Sequence, residues 1–203
     1  MSEIGLFPLE LVLLPTERVP LHIFEPRYKE LIGECLTESR DFGLLLEDER
    51  GRRDVGTRAA VVEVLQQFDD GRMNIVVEGG ERFRVRELTS GRSFPTAEVE
   101  ALDDEDGSAD PSARARALKV FRRLAEAAEA EVDEPAADTD ALSFELAARV
   151  DFGVDVKQDL LELRSEAVRL ARVIELLQGA TDAILQEREV RERASGNGRV
   201  SPR

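Results

Sequence analysis

His22 and Cys35 could act as a general base and a nucleophile, and they are the only histidine and the only cysteine in the sequence. His22 lies between two prolines in the stretch VPLHIFEPRYKELI, which leads into an apolar, helix-like pattern that includes Cys35. A hydrolytic triad needs a nucleophile, a base and an orienting acid that converge in space. The chain has no GxSxG motif, and helical spacing places Cys35 on an inward face. We therefore interpret His22 as a packed or hydrogen-bonded structural residue and predict no catalytic residue.

Ligands for a metal ion or a nucleotide are equally scarce. One histidine and one cysteine leave only carboxylates, and the spacing in DDEDGSADPS (residues 103–112) does not match a calcium-binding loop. GRRDVGT (residues 51–57) has the glycine spacing of a phosphate-binding loop but lacks the lysine that should follow the second glycine. We predict no metal and no cofactor. The first segment is interpreted as a solvated linker and the second as an exposed hairpin loop.

Three arginines alternate with apolar residues in ERFRVREL, which indicates a strand with one charged and one apolar face. Arg82, Arg84 and Arg86 could together bind an anion or an acidic partner. They could also pair with acidic residues on neighbouring strands, such as Glu63 or Glu78. We favour this second, structural interpretation.

The composition predicts a protein that works in a reducing compartment. A chain of 203 residues can bury enough apolar surface to fold without a disulfide, and its single cysteine cannot form one internally. The amino terminus has no positively charged leader, and no apolar run approaches the length of a membrane span. The net charge of −15 disfavours nucleic acids and anionic membranes. We therefore expect a cytoplasmic protein with neither as a partner.

The first hundred residues have the pattern of short strands around one helix. Pro26 suits the first turn of that helix, and the Asp69, Asp70 and Gly71 run suits the turn of a hairpin. The apolar or alternating runs that predict strands include residues 41–47, 57–68, 72–79, 81–88 and 94–102. Six or so strands at this spacing predict a barrel or a strongly bent sheet.

The composition changes at the acidic connector, residues 103–112, and we place a domain boundary there. Asp110 and Pro111 form a suitable start for a first helix, and apolar stripes at helical spacing follow. The last residues carry no such stripe. The predicted organisation is a β domain at 1–106, a helical bundle at 107–190 and a disordered tail at 191–203.

Several motifs in this order resemble the N-terminal substrate-recognition domain of Lon protease. They are LFPLELVLLP, VPLHIFEPRYKELI, VGTRAAVVEVLQQFDDGRMNIVVEGGERFRV, FPTAEVE and LSFELAARVDFGVDVKQDLLEL. The resemblance spans about residues 4–186. It implies an α+β fold, in which a PUA-like β pseudo-barrel with one embedded helix is followed by a C-terminal α-helical bundle.

The sequence also departs from what this resemblance implies. Thr16 and Glu17 stand where many relatives have a glycine-containing turn, so we expect that loop to differ in shape. The ATPase and Ser-Lys peptidase domains of Lon are not recognisable in the chain. The resemblance therefore implies a free-standing bacterial form that is not an enzyme.

By the same resemblance, the chain binds unfolded or degron-bearing polypeptides, or acts as an adaptor for a separate ATP-dependent protease. We expect client side chains to be buried in a groove at the junction of barrel and helices. Phe68, at the hairpin tip, and Phe94, before Pro95, are the candidate polypeptide-binding aromatics, although both could instead be core residues. RNA binding is the alternative function, by analogy with other PUA-like barrels, and the net charge opposes it.

Overall fold

The described residues of the amino-terminal half form six strands and one helix. A computed structural model describes residues 2–105, 108–136 and 138–196. Helix α1 (Pro26–Glu38) connects the second strand to the third. The strands are β1 (Ser2–Leu9), β2 (Arg18–Ile23), β3 (Phe42–Asp48), β4 (Gly51–Gln67), β5 (Met73–Thr89) and β6 (Thr96–Ala101).

These strands form one sheet that closes on itself. The strand order is β2-β5-β4-β3-β1-β6, and the second half of β5 also pairs with β6. β1 and β3 are parallel, whereas the other pairs are antiparallel. Among the described residues, β2 pairs only with the first half of β5 and is an edge strand, which explains why it tolerates Pro20. The predicted α+β fold, with a pseudo-barrel and one embedded helix, is confirmed.

The long β4–β5 hairpin corrects two details of the prediction. GRRDVGT was expected to be an exposed hairpin loop but lies within β4, and the predicted strands at 72–79 and 81–88 are one strand. Gly56 explains the first difference, because a Cβ at this position would lie 2.4 Å from the carbonyl oxygen of Leu44 in β3. The glycine therefore serves close strand packing. Gly71, at φ +80°, lies in the predicted turn at the other end.

The second half of the described chain is helical. Asp110 caps the first of these helices as predicted, because its side chain accepts a hydrogen bond of 2.7 Å from the amide of Ser112. The helices are α2 (Pro111–Ala128), α3 (Leu142–Ala147), α4 (Val154–Glu162) and α5 (Glu166–Gly196). In the described part of the chain, none of the helices is both long and apolar enough to cross a membrane.

The final helix and the connector differ from their predicted descriptions. Helix α5 continues to Gly196, so the first residues of the predicted disordered tail are helical, while 197–203 lie outside the described residues. The connector is not simply a solvated linker, because Ala109 is buried. The division into domains at 106 stays a prediction.

One apolar core joins the barrel to the helices. Strand and loop residues such as Leu14, Leu46 and Val55 belong to the same buried cluster as Phe121 of α2 and Leu170 of α5. A second cluster lies between α1 and the sheet. The helical part therefore packs directly on one region of the barrel and is not merely tethered to it by the connector.

A buried ionic network accompanies this core. Arg169 of α5, whose side chain is 1% exposed, contacts Asp104 Oδ2 at 2.6 Å and Glu166 Oε2 at 2.7 Å through Nη2. Arg82 of β5 donates to the other oxygen of Asp104 and to the carbonyl oxygen of Leu163 at 2.6 Å. Asp104 thus bridges an arginine from the barrel and an arginine from the helices. We call Arg82, Asp104, Glu166 and Arg169 the junction network.

The surroundings of the junction network complete its hydrogen bonding. The guanidinium of Arg169 lies 3.9 Å from the centre of the Phe144 ring, and its Nε donates to Ser143 Oγ at 2.7 Å. Glu166 accepts from both the amide and the hydroxyl of Ser143. These contacts matter because buried charges are tolerated only when they are paired and hydrogen-bonded.

The junction network also corrects the interpretation of the arginine stripe. Arg82 is 6% exposed and pairs with Asp104 of the connector, not with Glu63 or Glu78. Arg86 does pair across to a neighbouring strand, but its partner is Glu100 of β6. Alternation alone could not distinguish an arginine facing solvent from one facing a second layer of helices.

We predict that Arg169→Met lowers the free energy of unfolding by about 3–5 kcal/mol, because it leaves the buried Glu166 and Asp104 without their shared cation. Urea unfolding monitored by circular dichroism measures the change. Arg172→Met is the matched control, because Arg172 lies on the same helix in an exposed pair with Glu175 and should cost less than about 1 kcal/mol. Equal losses for the two variants would contradict a central role for the junction network.

Asp104 should also make stability depend on pH. Burial alone would raise the pKa of Asp104, but hydrogen bonds and charge attraction from Arg169 and Arg82 outweigh it and lower that pKa. Its contribution is therefore complete above the unfolded pKa of about 3.9 and is lost as the pH falls through the lower folded pKa. Asp104→Asn should be less stable than the unaltered protein at neutral pH, and the gap should narrow in urea titrations below about pH 4. A gap that stays constant would refute this linkage.

Candidate functional site

The outer face of the sheet near the hairpin tip carries a row of exposed polar side chains. His22 of β2 and Asn74 of β5 are opposite each other, and Asn74 is opposite Gln66 of β4. His22 Nδ1 donates to Asn74 Oδ1 at 2.6 Å, and Asn74 Nδ2 donates to Gln66 Oε1 at 3.4 Å. The predicted hydrogen-bonded role of His22 therefore holds, but the ring is on the surface.

Two aromatic rings flank this histidine. Phe24 is 58% exposed, and its ring is stacked on that of His22 with 5.8 Å between centroids. Phe68 meets His22 edge-on at 6.4 Å, and the guanidinium of Arg72 lies 5.0 Å from the centre of the Phe68 ring. We call His22, Phe24 and Phe68 the aromatic surface. An exposed group of rings such as this is typical of a binding surface.

The aromatic surface adjoins further exposed apolar side chains on β4. The pairing of β3 with β4 extends to Ala59, so the later part of β4 has only β5 as a strand neighbour among the described residues. Register shifts in this part accompany the exposure of Val62, Val64 and Leu65. Bulges re-aim side chains in this way at sheet edges. The β4–β5 hairpin therefore exposes apolar side chains in addition to those of the aromatic surface.

The two predicted binding aromatics lie in different environments. Phe68 is half-buried and belongs to the aromatic surface. Phe94 is only 5% exposed, so the alternative that it is a core residue holds at this position. Its ring fits against Gly5, where a Cβ would lie 3.0 Å from it, and the Arg92 guanidinium lies 4.8 Å from its centre. The binding role of either residue stays a prediction.

Phe24 was missed from the sequence, although a signal for it exists. In HIF, a strand alternation that buries Ile23 must turn both His22 and Phe24 to the other face. In FEPRY, the proline indicates the start of a helix, and this pattern does not by itself show whether Phe24 is exposed. Recognising His22 as surface-exposed would have identified Phe24 as its neighbour.

Phe94 lines a cleft of about 520 Å³ between α1, the start of β1 and the β5–β6 loop. The apolar floor of the cleft consists of Ile4, Leu31, Cys35 and Phe94, all buried. Arginine and carboxylate side chains surround its mouth. We call this feature the α1 cleft.

A groove also exists at the predicted location, the junction of barrel and helices. It has a volume of about 540 Å³ and lies beside Leu46 and Val154. Its other lining residues are charged, and neither Phe68 nor Phe94 lines it. Leu46 and Val154 are therefore its only apolar lining residues among those described.

Chemistry by Cys35 is not supported by its environment. Burial, reinforced by the negative charges of Asp41, Glu34 and Glu38, raises the pKa of Cys35 to about 11. The thiolate is the nucleophilic form, so this pKa makes the residue inert at neutral pH. Within the described residues, no three His, Cys, Asp or Glu side chains converge to hold a metal ion.

Comparison with known proteins identifies the family of the chain. The sequence profile of the ATP-dependent protease La (LON) substrate-binding domain matches residues 3–179. The chain belongs to the Lon substrate-binding domain family. It is 29% identical over 183 residues to a Lon protease of Anaeromyxobacter dehalogenans and 28% identical to Lon protease 2 of Myxococcus xanthus. Each alignment covers 82% of this chain and 22% of the relative, so the chain spans about a fifth of their length.

Solved structures of Lon domains share the fold. The Lon N-terminal domain protein from Xanthomonas campestris superimposes with a TM-score of 0.69 at 24% identity, covering 86% of this chain and 98% of that one. The N-terminal domain of Mycobacterium avium complex Lon protease gives a TM-score of 0.67 at 19% identity, covering 87% and 98%. The pseudo-barrel with its helical part is therefore the Lon N-terminal fold.

The loop that departs from the expected Lon glycine turn keeps a glycine-like conformation. Thr16 has φ +68°, in the left-handed region that glycine adopts most easily. Glu17 then accepts a hydrogen bond of 2.9 Å from the amide of Leu14 and pairs with Lys157 of α4 at 2.5 Å. Thr16 thus adopts a backbone conformation that favours glycine, and Glu17 adds a contact between the barrel and the helices.

We predict that Cys35 reacts slowly with thiol reagents in the folded protein. With a pKa of about 11, only about a thousandth of the thiol is ionised at pH 8, and the side chain is also buried. Labelling with 5,5′-dithiobis(2-nitrobenzoate) at that pH should be at least about a hundredfold slower than for the urea-unfolded protein. Similar rates in the two states would show that Cys35 is accessible and ionised.

Proposed function

We propose that this protein is a non-catalytic module that binds apolar segments of unfolded or degron-bearing polypeptides at the aromatic surface. The observation that carries the proposal is the exposure of Phe24, 58% open to solvent and stacked on His22 beside Phe68. Folded clients keep their apolar side chains inside, so such a surface selects polypeptides that expose them. Membership of a substrate-binding family supports the same role.

The geometry of the aromatic surface favours binding without a large ordering cost. The hydrogen bonds from His22 to Asn74 and from Asn74 to Gln66 hold the central row in place. The ring of His22 is held by these bonds and loses little freedom when a ligand covers it. Each Å² of apolar area removed from water then contributes about 25 cal/mol before association costs are subtracted.

The proposal extends to the fate of the bound polypeptide. The curated relatives are Lon proteases, and this chain is similar to about a fifth of their length. We propose that the protein holds clients for an ATP-dependent protease, whether as an adaptor or as a recognition domain. RNA is a less suitable ligand, because the net charge of −15 repels a phosphate backbone even though rings can stack on bases.

The test of the proposed function is the affinity for a fluorescently labelled peptide that contains a central run of apolar and aromatic residues. Phe24→Ser should weaken binding by about five- to thirtyfold, the typical effect of removing a ring at the centre of an interface. Fluorescence anisotropy measures the affinity, and circular dichroism checks that the fold is retained.

Val190→Ser is the matched control, because Val190 is also highly exposed but lies near the end of α5. Its affinity should equal that of the unaltered protein. Absence of peptide binding by the unaltered protein, or equal affinities for the Phe24 and Val190 variants, would refute the proposal.

A further inference from the structure

We infer that the α1 cleft binds the carboxyl-terminal residue of a polypeptide, with Arg58 as the receptor of its carboxylate and the apolar floor as the receptor of its side chain. The inference deepens the proposed function and rests on it, because it names the part of a client that a second site recognises. It is carried by the charges, the floor and the size of the cleft.

Most charged side chains around the α1 cleft already have partners. Glu34 pairs with Arg92, and Glu38 pairs with Arg40 at 3.1 Å. Glu3 accepts a hydrogen bond of 2.7 Å from the hydroxyl of Thr89. These groups are therefore engaged with their own neighbours and compete poorly for a ligand.

Arg58 differs from the other two arginines of the cleft. Its Nη2 donates to the hydroxyl of Ser2 at 2.9 Å, and it forms no ion pair with any residue in the described part of the chain. A guanidinium has five N–H donors in a fork that matches a carboxylate. Arg58 thus retains donors, and a full positive charge, for a ligand with a carboxylate group.

The floor beneath Arg58 suits an apolar side chain. Leu31, Cys35 and Phe94 are buried in their own packing and present only their outer atoms to the cleft. Gly5 contributes no side chain, because a Cβ there would lie 2.4 Å from Leu31 Cδ1. The volume of about 520 Å³ is large enough for one terminal residue and the peptide group before it.

A chain end complements all three features of the cleft at once. It offers a carboxylate for Arg58, an apolar side chain for the floor and amide hydrogens for Asp41, which like Glu3 is a cleft carboxylate without an ion pair among the described residues. An internal segment has no carboxylate, so it leaves Arg58 unmatched. A small inorganic anion has no apolar part, so it leaves the floor unmatched.

The test compares two labelled peptides with the same central apolar run and the same final leucine. One ends in a free carboxylate and the other in a carboxamide. For the unaltered protein, the free acid should bind at least about tenfold more tightly, as expected for one charge-assisted hydrogen-bonded contact. Arg58→Gln should reduce the ratio of the two affinities to about one. The free acid loses its charge-assisted contact with Arg58, whereas the affinity of the carboxamide, which lacks that contact, should not change.

The controls separate this inference from the proposed function. Arg116→Gln removes one exposed positive charge from α2 and should keep the tenfold ratio. Phe24→Ser should weaken both peptides equally and keep the ratio. If the unaltered protein binds both peptides equally, or if Arg58→Gln keeps the preference for the acid, the cleft inference is wrong while the proposed function stands. If inorganic phosphate competes as well as the free-acid peptide, Arg58 is a simple anion site and the inference is also wrong.

Discussion

The bridging of two arginines by Asp104 determines how the halves of this molecule are arranged. Arg82 comes from the barrel and Arg169 from the last helix, and both reach the same carboxylate in the connector. Buried guanidinium groups are costly unless they are paired. Because Arg82 and Arg169 share one carboxylate, the barrel strand and the last helix must both be correctly placed for either arginine to be paired. From its sequence, the acidic connector resembles a flexible linker. In the structure, its Asp104 is the point at which the barrel and the helices are held together.

Other contacts at the junction act in the same direction. Lys157 reaches Glu17 in the loop before β2, and the side-chain amide of Gln158 donates to the carbonyl oxygen of Val55 in β4 at 3.2 Å. Together with the shared apolar core, they hold the helices on one region of the barrel. The aromatic surface and the α1 cleft lie outside that region, and this leaves both open to ligands.

Much of the fold could be predicted because it depends on local patterns. Pro26, the Gly71 turn and the Asp110 cap each act through the conformation of a few neighbouring residues, and each lies where the sequence indicates. The errors concern contacts between residues far apart in sequence. Arg82 looks like a surface arginine until the end of α4 is placed against β5. Whether Phe94 is exposed or buried depends on Gly5, which lets the ring pack against β1. Phe24 is an exception, because its exposure follows from a local pattern, the alternation in HIF that buries Ile23.

The position of α1 relates the two candidate surfaces to each other. Phe24 lies just before the first turn of α1, whereas Leu31, Glu34 and Cys35 in its later turns line the cleft. The most distant of these residues follows Phe24 by eleven positions in the sequence, which corresponds to at most about 17 Å along the helix axis. An extended polypeptide covers that distance with about five residues. In this proposed binding mode, a client whose final residue lies in the cleft has an apolar segment a few residues upstream within reach of the aromatic surface, and binding at one site raises the effective concentration at the other. Such an arrangement would favour clients with exposed, apolar carboxyl ends over those with a single internal apolar segment.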